Sequence, residues 1–205
     1  MMALRVCVAA GLGAFGWTFS EYIFHRWFHT ARGSNFMSKE HLAHHARRLY
    51  GLGLLWAAWI GVFLVGLGAI PLALHLMLSR SSAFAAGAGW TVAYFVYEAI
   101  HASNHLWAGR TRYGRWTRRH HFHHHFGAPL RNHGVTTPLW DIVFGTYDRI
   151  EHLTVPRRLA MVWLLDEHGD VKPEHATTYA VRGTATVIEP RELVDAFANR
   201  APLLD

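Results

Sequence analysis

Four short runs hold most of the residues in this chain that can bind a metal. HRWFH at 25–29, HLAHH at 41–45, HASNH at 101–105 and HHFHHH at 120–125 contain twelve of its 17 histidines. In a helix, positions i, i+3 and i+4 share one face. His25 with His29, His101 with His105, and the triplet His41, His44 and His45 should therefore each project imidazoles toward one point. The fourth run satisfies the triplet spacing twice, as His120, His123 and His124 or as His121, His124 and His125, and spacing does not choose between them. Neutral imidazole suits zinc, iron, copper and nickel. Ten inward-facing imidazoles exceed what one tetrahedral zinc uses, whereas two metals with about five ligands each would consume them, so the expected site is dinuclear. His75, His152, His168 and His175 lack such company and read as surface or interfacial residues.

The composition excludes several alternatives. HExxH is absent, which removes the helical zinc-protease arrangement. Carboxylate-bridged diiron bundles need a Glu from several helices, yet between His25 and His133 the only acids are Glu40 and Glu98. The sole cysteine, Cys7, permits neither a disulfide framework nor a thiolate metal site. An all-histidine centre would be supported by carboxylates that accept imidazole N–H bonds, and Glu21, Glu40, Glu98 and Asp141 are placed for that.

The elements that must position these residues are strongly apolar. Residues 3–20 carry one charge, Arg5, and residues 49–79 and 81–97 carry none. Runs of this kind read as bilayer-spanning helices, expected at about 3–24, 49–68 and 82–100. Gly66, Gly68 and Pro71 should end the second, leaving 71–80 as an interfacial or re-entrant piece. The first run continues unbroken into SEYIFHRWFH, so it reads as an uncleaved helix rather than a signal peptide. The net charge of +6 is not spread as a nucleic-acid stripe. Arg26, Arg32, Lys39, Arg47 and Arg48 follow the first run and Arg110, Arg112, Arg115, Arg118, Arg119 and Arg131 follow the third, while the loop between the second and third offers only Arg80. By the positive-inside rule the histidine segments face the cytoplasm.

The expected architecture is an all-α, integral, multi-pass membrane protein. It has about three transmembrane helices, a fourth requiring an extra N-terminal helix, and a cytoplasmic helical cap that holds the dimetal site. After Pro156 the character changes: residues 159–205 hold eight acids against four bases. MVWLLDEHGDVKPEHATTYAVRG reads as a β-hairpin with a turn near Gly169, and EPRELVDAFANR as a short terminal helix. The chain divides into a membrane-embedded catalytic domain, 1–158, and a C-terminal cytoplasmic tail, 159–205, of unknown role.

The order SEYIFHRWFH, HLAHH, YEAIHASNH, HHFHHHF and NHGVTTPLWDIVFGTY resembles the fatty acid hydroxylase and sterol desaturase superfamily of integral-membrane nonhaem diiron enzymes, over about residues 17–148. The resemblance implies two iron ions, replaceable by zinc in purified protein, with O2 as co-substrate. It implies oxidation of a lipid alkyl C–H bond, chiefly hydroxylation, with desaturation of a sterol-like lipid or hydroxylation of a carotenoid as alternatives. It also implies His121, His124 and His125 as the ligands of the fourth run, with His120 and His123 as neighbours and His133 without an assigned role. Asn132, Trp140 and Asp141 fall in the segment that supports the site in the family. No separate catalytic residue beyond the metal ligands is implied. The first box, HxxxH, is that of sterol desaturase-like members, whereas fatty acid 2-hydroxylase-like and carotenoid hydroxylase-like members have HxxxxH, which leaves the substrate open. Electrons would come from an external donor of cytochrome or ferredoxin type, since no flavin, haem or cluster motif is present. A reading from another class is a His-rich membrane protein that binds or transports metal.

Overall fold

A computed structural model describes residues 1–46 and 55–183. Its long elements are helical. The first, α1 (Met2–Thr30), is rich in Ala and Phe and runs 29 residues, about 43 Å at 1.5 Å per residue. Leu4, Val8, Leu12, Phe15, Phe19 and Ile23 are exposed along it, three or four residues apart, and so form one continuous apolar ridge. Among the described residues α1 is the one helix both long and apolar enough to cross a membrane.

After the left-handed turn at Arg32 and Gly33, α2 (Phe36–His45) begins where the Asn35 side chain accepts the Ser38 N–H at 3.0 Å, an N-cap. The Ser38 hydroxyl donates to the Phe28 carbonyl and fixes α2 against the end of α1. Next come α3 (Leu55–Leu64) and α4 (Ile70–Leu74), joined by one π turn over Val65–Ala69. The expected break at Gly66, Gly68 and Pro71 is thus not a break. Pro71 follows directly on the π turn, in the first turn of α4, and the run continues through the glycines and the proline without ending. The expected start of this crossing, 49–54, lies outside the described residues.

Ser79 caps α5 (Arg80–Leu106), which packs along α1. The backbones touch: a methyl placed on Gly13 would lie 1.8 Å from the Ala86 carbonyl oxygen, and one on Gly89 2.0 Å from that of Ala10. Arg5 and Ser79 lie at one end of the pair, Trp17 meets Trp90 at 4.9 Å in the middle, and the histidines lie at the other end. The two helices therefore run in the same direction, and each delivers its histidine pair at its C-terminal end.

Thr111 caps α6 (Arg112–Phe126). Arg118, which no motif singles out, turns back to donate to the Trp107, Gly114 and Ser103 carbonyls at 2.5, 2.7 and 2.7 Å, pinning the end of α5 to α6. A short α7 (Leu139–Val143) follows. The expected hairpin is realised differently. Gly169, at φ 79°, does turn the chain, but only one antiparallel bridge, Leu165 with Val171, flanks it. The strand pair is instead parallel, β1 (Leu153–Pro156) with β2 (Tyr179–Arg182), Leu153 opposite Tyr179. Leu153, Val155, Met161, Trp163, Leu164 and Tyr179 form one core with Phe122 of α6. Residues on both sides of 158 share it. The expected terminal helix lies outside the described residues.

Candidate metal centre

The ten histidines converge as two groups of five. His25, His29, His41, His45 and His124 form one, and His44, His101, His105, His121 and His125 the other, with the ligand nitrogens of each group within 4.8 Å of one another. Eight are buried, and His41 and His45 partly so. The triplets do not each project to one point, as their spacing suggested. In α2 the i, i+4 pair His41 and His45 serves the first group and His44 the second; in α6 the pair His121 and His125 serves the second and His124 the first. Adjacent residues on a helix point about 100° apart, so His44 and His45, like His124 and His125, straddle two centres. Between the centres the His45 and His125 rings stack at 3.9 Å.

Both groups have the same form. In the first, His25, His41, His45 and His124 make a ring with adjacent centroids 4.2–4.8 Å apart and His41 opposite His124 at 6.2 Å. His29 sits over it, 4.6–4.7 Å from three of the four and 5.9 Å from His25. In the second, His44, His101, His121 and His125 make a ring with spacings of 4.3–4.9 Å and His44 opposite His121 at 6.4 Å. His105 lies 4.8–5.4 Å from all four. The apical residues are the last histidines of the two HxxxH runs.

These donors fit a cation and do not fit a hydrogen-bond network. His29 Nε2 lies 2.9 Å from His41 Nε2, 2.9 Å from His124 Nε2 and 3.2 Å from His45 Nε2. One imidazole nitrogen carries either one proton or one lone pair, so at most one of the three contacts is a hydrogen bond. A metal about 2.0–2.1 Å from each nitrogen accounts for all three, because two such donors at right angles stand about 3 Å apart. The second group has two close approaches of the same kind, 3.1 Å between His44 and His101 and 2.9 Å between His105 and His121. Burial first, and then neighbouring imidazoles, hold His41, His45, His121, His124 and His125 well below the ordinary histidine range. They are neutral near pH 7, with lone pairs available.

The outer nitrogens are set by backbone. His25 Nδ1 donates to the His133 carbonyl at 2.5 Å and His124 Nδ1 to the Arg131 carbonyl at 2.8 Å. A carbonyl only accepts, so in both rings Nδ1 carries the proton and Nε2 turns its lone pair inward. The carboxylates act one step further out. Asp141 accepts the His133 and Gly134 N–H groups at 2.8 Å each and the Thr146 hydroxyl at 2.7 Å. Its buried carboxyl is held below the ordinary range: burial raises it, and hydrogen bonds, that of His120 foremost, more than offset this. Glu21 accepts from Val135 N–H, from Thr136 N–H at 2.9 Å and from the Thr136 hydroxyl at 2.7 Å. Asn132, left-handed at φ 54°, exchanges two hydrogen bonds with Asp148, at 3.0 and 2.7 Å. Trp140 Nε1 donates to the Thr18 hydroxyl at 2.9 Å. Glu98 meets Tyr94 within α5.

His120 and His123 point away from both groups. His120 Nε2 reaches Asp141 at 3.3 Å and His123 Nε2 reaches Asp148 at 3.0 Å. His133 is buried beside the first group, its ring 5.3 Å from His124 and 5.8 Å from His25. Residues the sequence reading missed include Thr146 and Thr136, which complete the two carboxylate clamps, and Arg131, whose carbonyl orients His124.

The profile of the fatty acid hydroxylase family matches residues 10–146. Two dihydroceramide fatty acyl 2-hydroxylases of Arabidopsis thaliana are 28% and 29% identical, over 72% and 66% of this chain and 63% and 58% of their own lengths. A fatty acid 2-hydroxylase of Macaca fascicularis is 30% identical over 66% of this chain and 38% of its own. The chain thus spans less than two thirds of the curated relatives it matches. No solved structure matches it. The HxxxH first box notwithstanding, these relatives are hydroxylases of fatty acyl chains. With two thirds of its length under the family profile, this chain belongs to the fatty acid hydroxylase family.

Proposed function

We propose that the ten imidazoles hold two iron ions, five to each, and that the protein uses O2 to hydroxylate an alkyl C–H bond of a fatty acyl lipid, at the carbon next to the carbonyl. The observation that carries the metal assignment is the approach of three imidazole nitrogens to His29 Nε2 at 2.9–3.2 Å. The printed names of the relatives support 2-hydroxylation of an acyl chain, free or in a ceramide-like lipid. Bound iron supplies the activation of O2 that lets an unreactive C–H bond be broken. Zinc, which has no redox chemistry, occupies the same donors without turnover.

The chain's own residues hold the geometry. His29 and His105 cap the two rings, and five imidazoles would hold each metal. Asp141 and Glu21 lock the 132–136 loop, so that its carbonyl keeps His25 in one tautomer. The apolar ridge of α1 supports seating in a bilayer, with the histidines at the membrane surface, where an acyl chain reaches them without leaving its leaflet. The basic segments around α2 and α6 support a cytoplasmic orientation. The test is lipid profiling of cells with and without the gene, with iron-loaded protein assayed in parallel. A gain of one oxygen at the acyl 2-position supports the reading. A loss of two hydrogens assigns desaturation instead, and exchangeable metal with no O2 uptake assigns a store or transporter.

A further inference from the structure

We propose that α7 and the turns on either side of it form a re-entrant loop that dips into the hydrocarbon of the leaflet beside the histidines, and that Asp141 and Glu21 make this possible by accepting the loop's amide N–H groups. This rests on the reading of the chain as seated in a bilayer. It adds to that reading a segment far too short to cross one. The partner of the exposed face of α7 is thus the acyl chains of that leaflet.

The first observation is depth. Arg5 and Arg26 of α1 stand about 31 Å apart along the helix at 1.5 Å per residue, and a bilayer's hydrocarbon is about 30 Å thick. Trp140 of α7 packs between these charges. Its ring lies 5.7 Å from Phe15 and 4.8 Å from Phe19, and its Nε1 donates to the Thr18 hydroxyl at 2.9 Å. Phe15 and Phe19 belong to the exposed apolar ridge of α1. They place α7 roughly 10–16 Å along α1 from Arg26, toward the middle of the membrane.

The second observation is the outward face. Leu139, Ile142 and Val143 share one side of α7 at i, i+3 and i+4 spacing. With Phe144 they are exposed, Ile142 and Val143 at 58% each. A patch of this kind is unfavourable in water and suits a lipid surface. It continues the α1 ridge, since Phe144 lies 6.3 Å from Phe19 and stacks on Tyr22 at 5.1 Å. Asp141, the acid of α7, is fully buried on the inner side.

The third observation is where the polar groups go. Irregular backbone is tolerated at membrane depth only where the protein itself satisfies its N–H and C=O groups. The His133 and Gly134 N–H groups reach the Asp141 carboxylate, and those of Val135 and Thr136 reach Glu21. The Leu139 N–H meets the Thr137 hydroxyl at 3.3 Å, and the Thr146 and Tyr147 N–H groups return to the Asp141 carbonyl at 2.7 and 3.1 Å. The neck of the loop is closed. The Asn132 N–H donates to the Thr146 carbonyl at 2.9 Å, and the Asn132 side chain bonds the Asp148 carbonyl and N–H. The chain therefore enters and leaves on the histidine side. Polar groups turn inward and apolar side chains outward, the reverse of a loop built for water. Through the His133 carbonyl, which orients His25, the first histidine group is tied to a segment anchored in lipid.

The test uses the full chain in phosphatidylcholine nanodiscs, loaded with diamagnetic zinc, with the sole cysteine, Cys7, replaced by Ser. A nitroxide label is placed in turn at Ile142→Cys, Val143→Cys, Leu12→Cys on the α1 ridge and Arg149→Cys beyond the neck. Power saturation reads access to oxygen, which concentrates in hydrocarbon, and to a nickel chelate, which stays in water. Labels at 142 and 143 should match the label at 12: relaxed by oxygen, with loss of the nickel effect seen at 149. Adding Asp141→Ala, which strands the His133 and Gly134 N–H groups, should restore nickel access at 142 and 143 and leave the label at 12 unchanged. Nickel access at 142 and 143 equal to that at 149 overturns the proposal. So does shielding of both labels from oxygen and nickel alike, which assigns the face to a second copy or another protein segment. Labels that stay in hydrocarbon after Asp141→Ala overturn the role given to the carboxylate. A label at 12 that is itself open to nickel overturns the bilayer reading, and the proposal with it.

Discussion

The carbonyl oxygen of His133 accepts the Nδ1–H of His25 at 2.5 Å, across 108 residues of sequence. It joins the loop after α6 to the last turns of α1 and fixes which nitrogen of His25 faces the other imidazoles of the first group. The same loop reaches His124 through the Arg131 carbonyl at 2.8 Å. Two imidazoles of the first group are therefore oriented by one loop, which is itself held by two carboxylates.

Removing one of those carboxylates should be felt at the metal. Asp141→Ala leaves the buried His133 and Gly134 N–H groups without their acceptor and frees the carbonyl that orients His25. Metal affinity of the first group should fall about 10- to 100-fold, with the second group less affected. Stepwise metal titration followed by mass spectrometry of the intact protein separates the two. Equal loss from both groups would contradict a local role for Asp141.

Glu21 provides a stability test independent of metal. Glu21→Ala strands the Val135 and Thr136 N–H groups in the interior, at a cost of about 1–3 kcal/mol for each buried donor left unpaired. The metal-free variant should melt at a lower temperature than the metal-free wild type. An unchanged melting temperature would mean that the carboxylate clamp carries no load.

How far the sequence foretold this site varies with the distance over which each relationship acts. The pairs His25 with His29 and His101 with His105 were legible because i, i+4 spacing is a property of one helix. The division of HLAHH between two centres was not, because it depends on where α1, α5 and α6 stand around α2. His120 and His123 were ambiguous because their partners, Asp141 and Asp148, lie 21 and 25 residues away. Gly66, Gly68 and Pro71 were read by local propensity as a helix end, and packing against α5, where Gly66 and Gly87 meet backbone to backbone, overrode it. In the tail, the turn at Gly169 was visible in the sequence. The parallel partner of Tyr179, Leu153, was not, since nothing local marks a pairing across 26 residues.

Close contact between α1 and α5 should matter for both centres at once. Gly13→Leu drives a side chain into the Ala86 backbone and pushes apart the helices that deliver His25, His29, His101 and His105. Overpacking of this kind costs about 1–3 kcal/mol, and metal content should fall in both groups together. Gly11→Leu, at a position with open space around it, is the control and should keep its metal.

Acid should destabilise the metal-free protein earlier than an ordinary surface histidine content would suggest. His41, His45, His121, His124 and His125 are held well below 6.5, and burial brings His133 down to about 4. Below 6.5 the unfolded chain takes up protons that the folded chain refuses, so this contribution to stability is present above 6.5 and is lost as the pH falls. For His133 the loss runs from 6.5 down to about 4. Melting temperatures of the metal-free protein should drop steadily between about pH 7 and 5, and a flat profile would contradict burial of these imidazoles in the neutral form.

The measurement that bears most directly on the two-centre account is metal stoichiometry of anaerobically reconstituted protein, for the wild type and for the adjacent pair of variants His44→Ala and His45→Ala. The account predicts two irons per chain in the wild type, one per histidine group. It further predicts that His45→Ala weakens the site built with His25, His29, His41 and His124, and His44→Ala the other, so that adding His101→Ala removes the remaining iron from His45→Ala and adding His25→Ala removes it from His44→Ala. A single iron per chain in the wild type, or the same site lost in both variants, would contradict it.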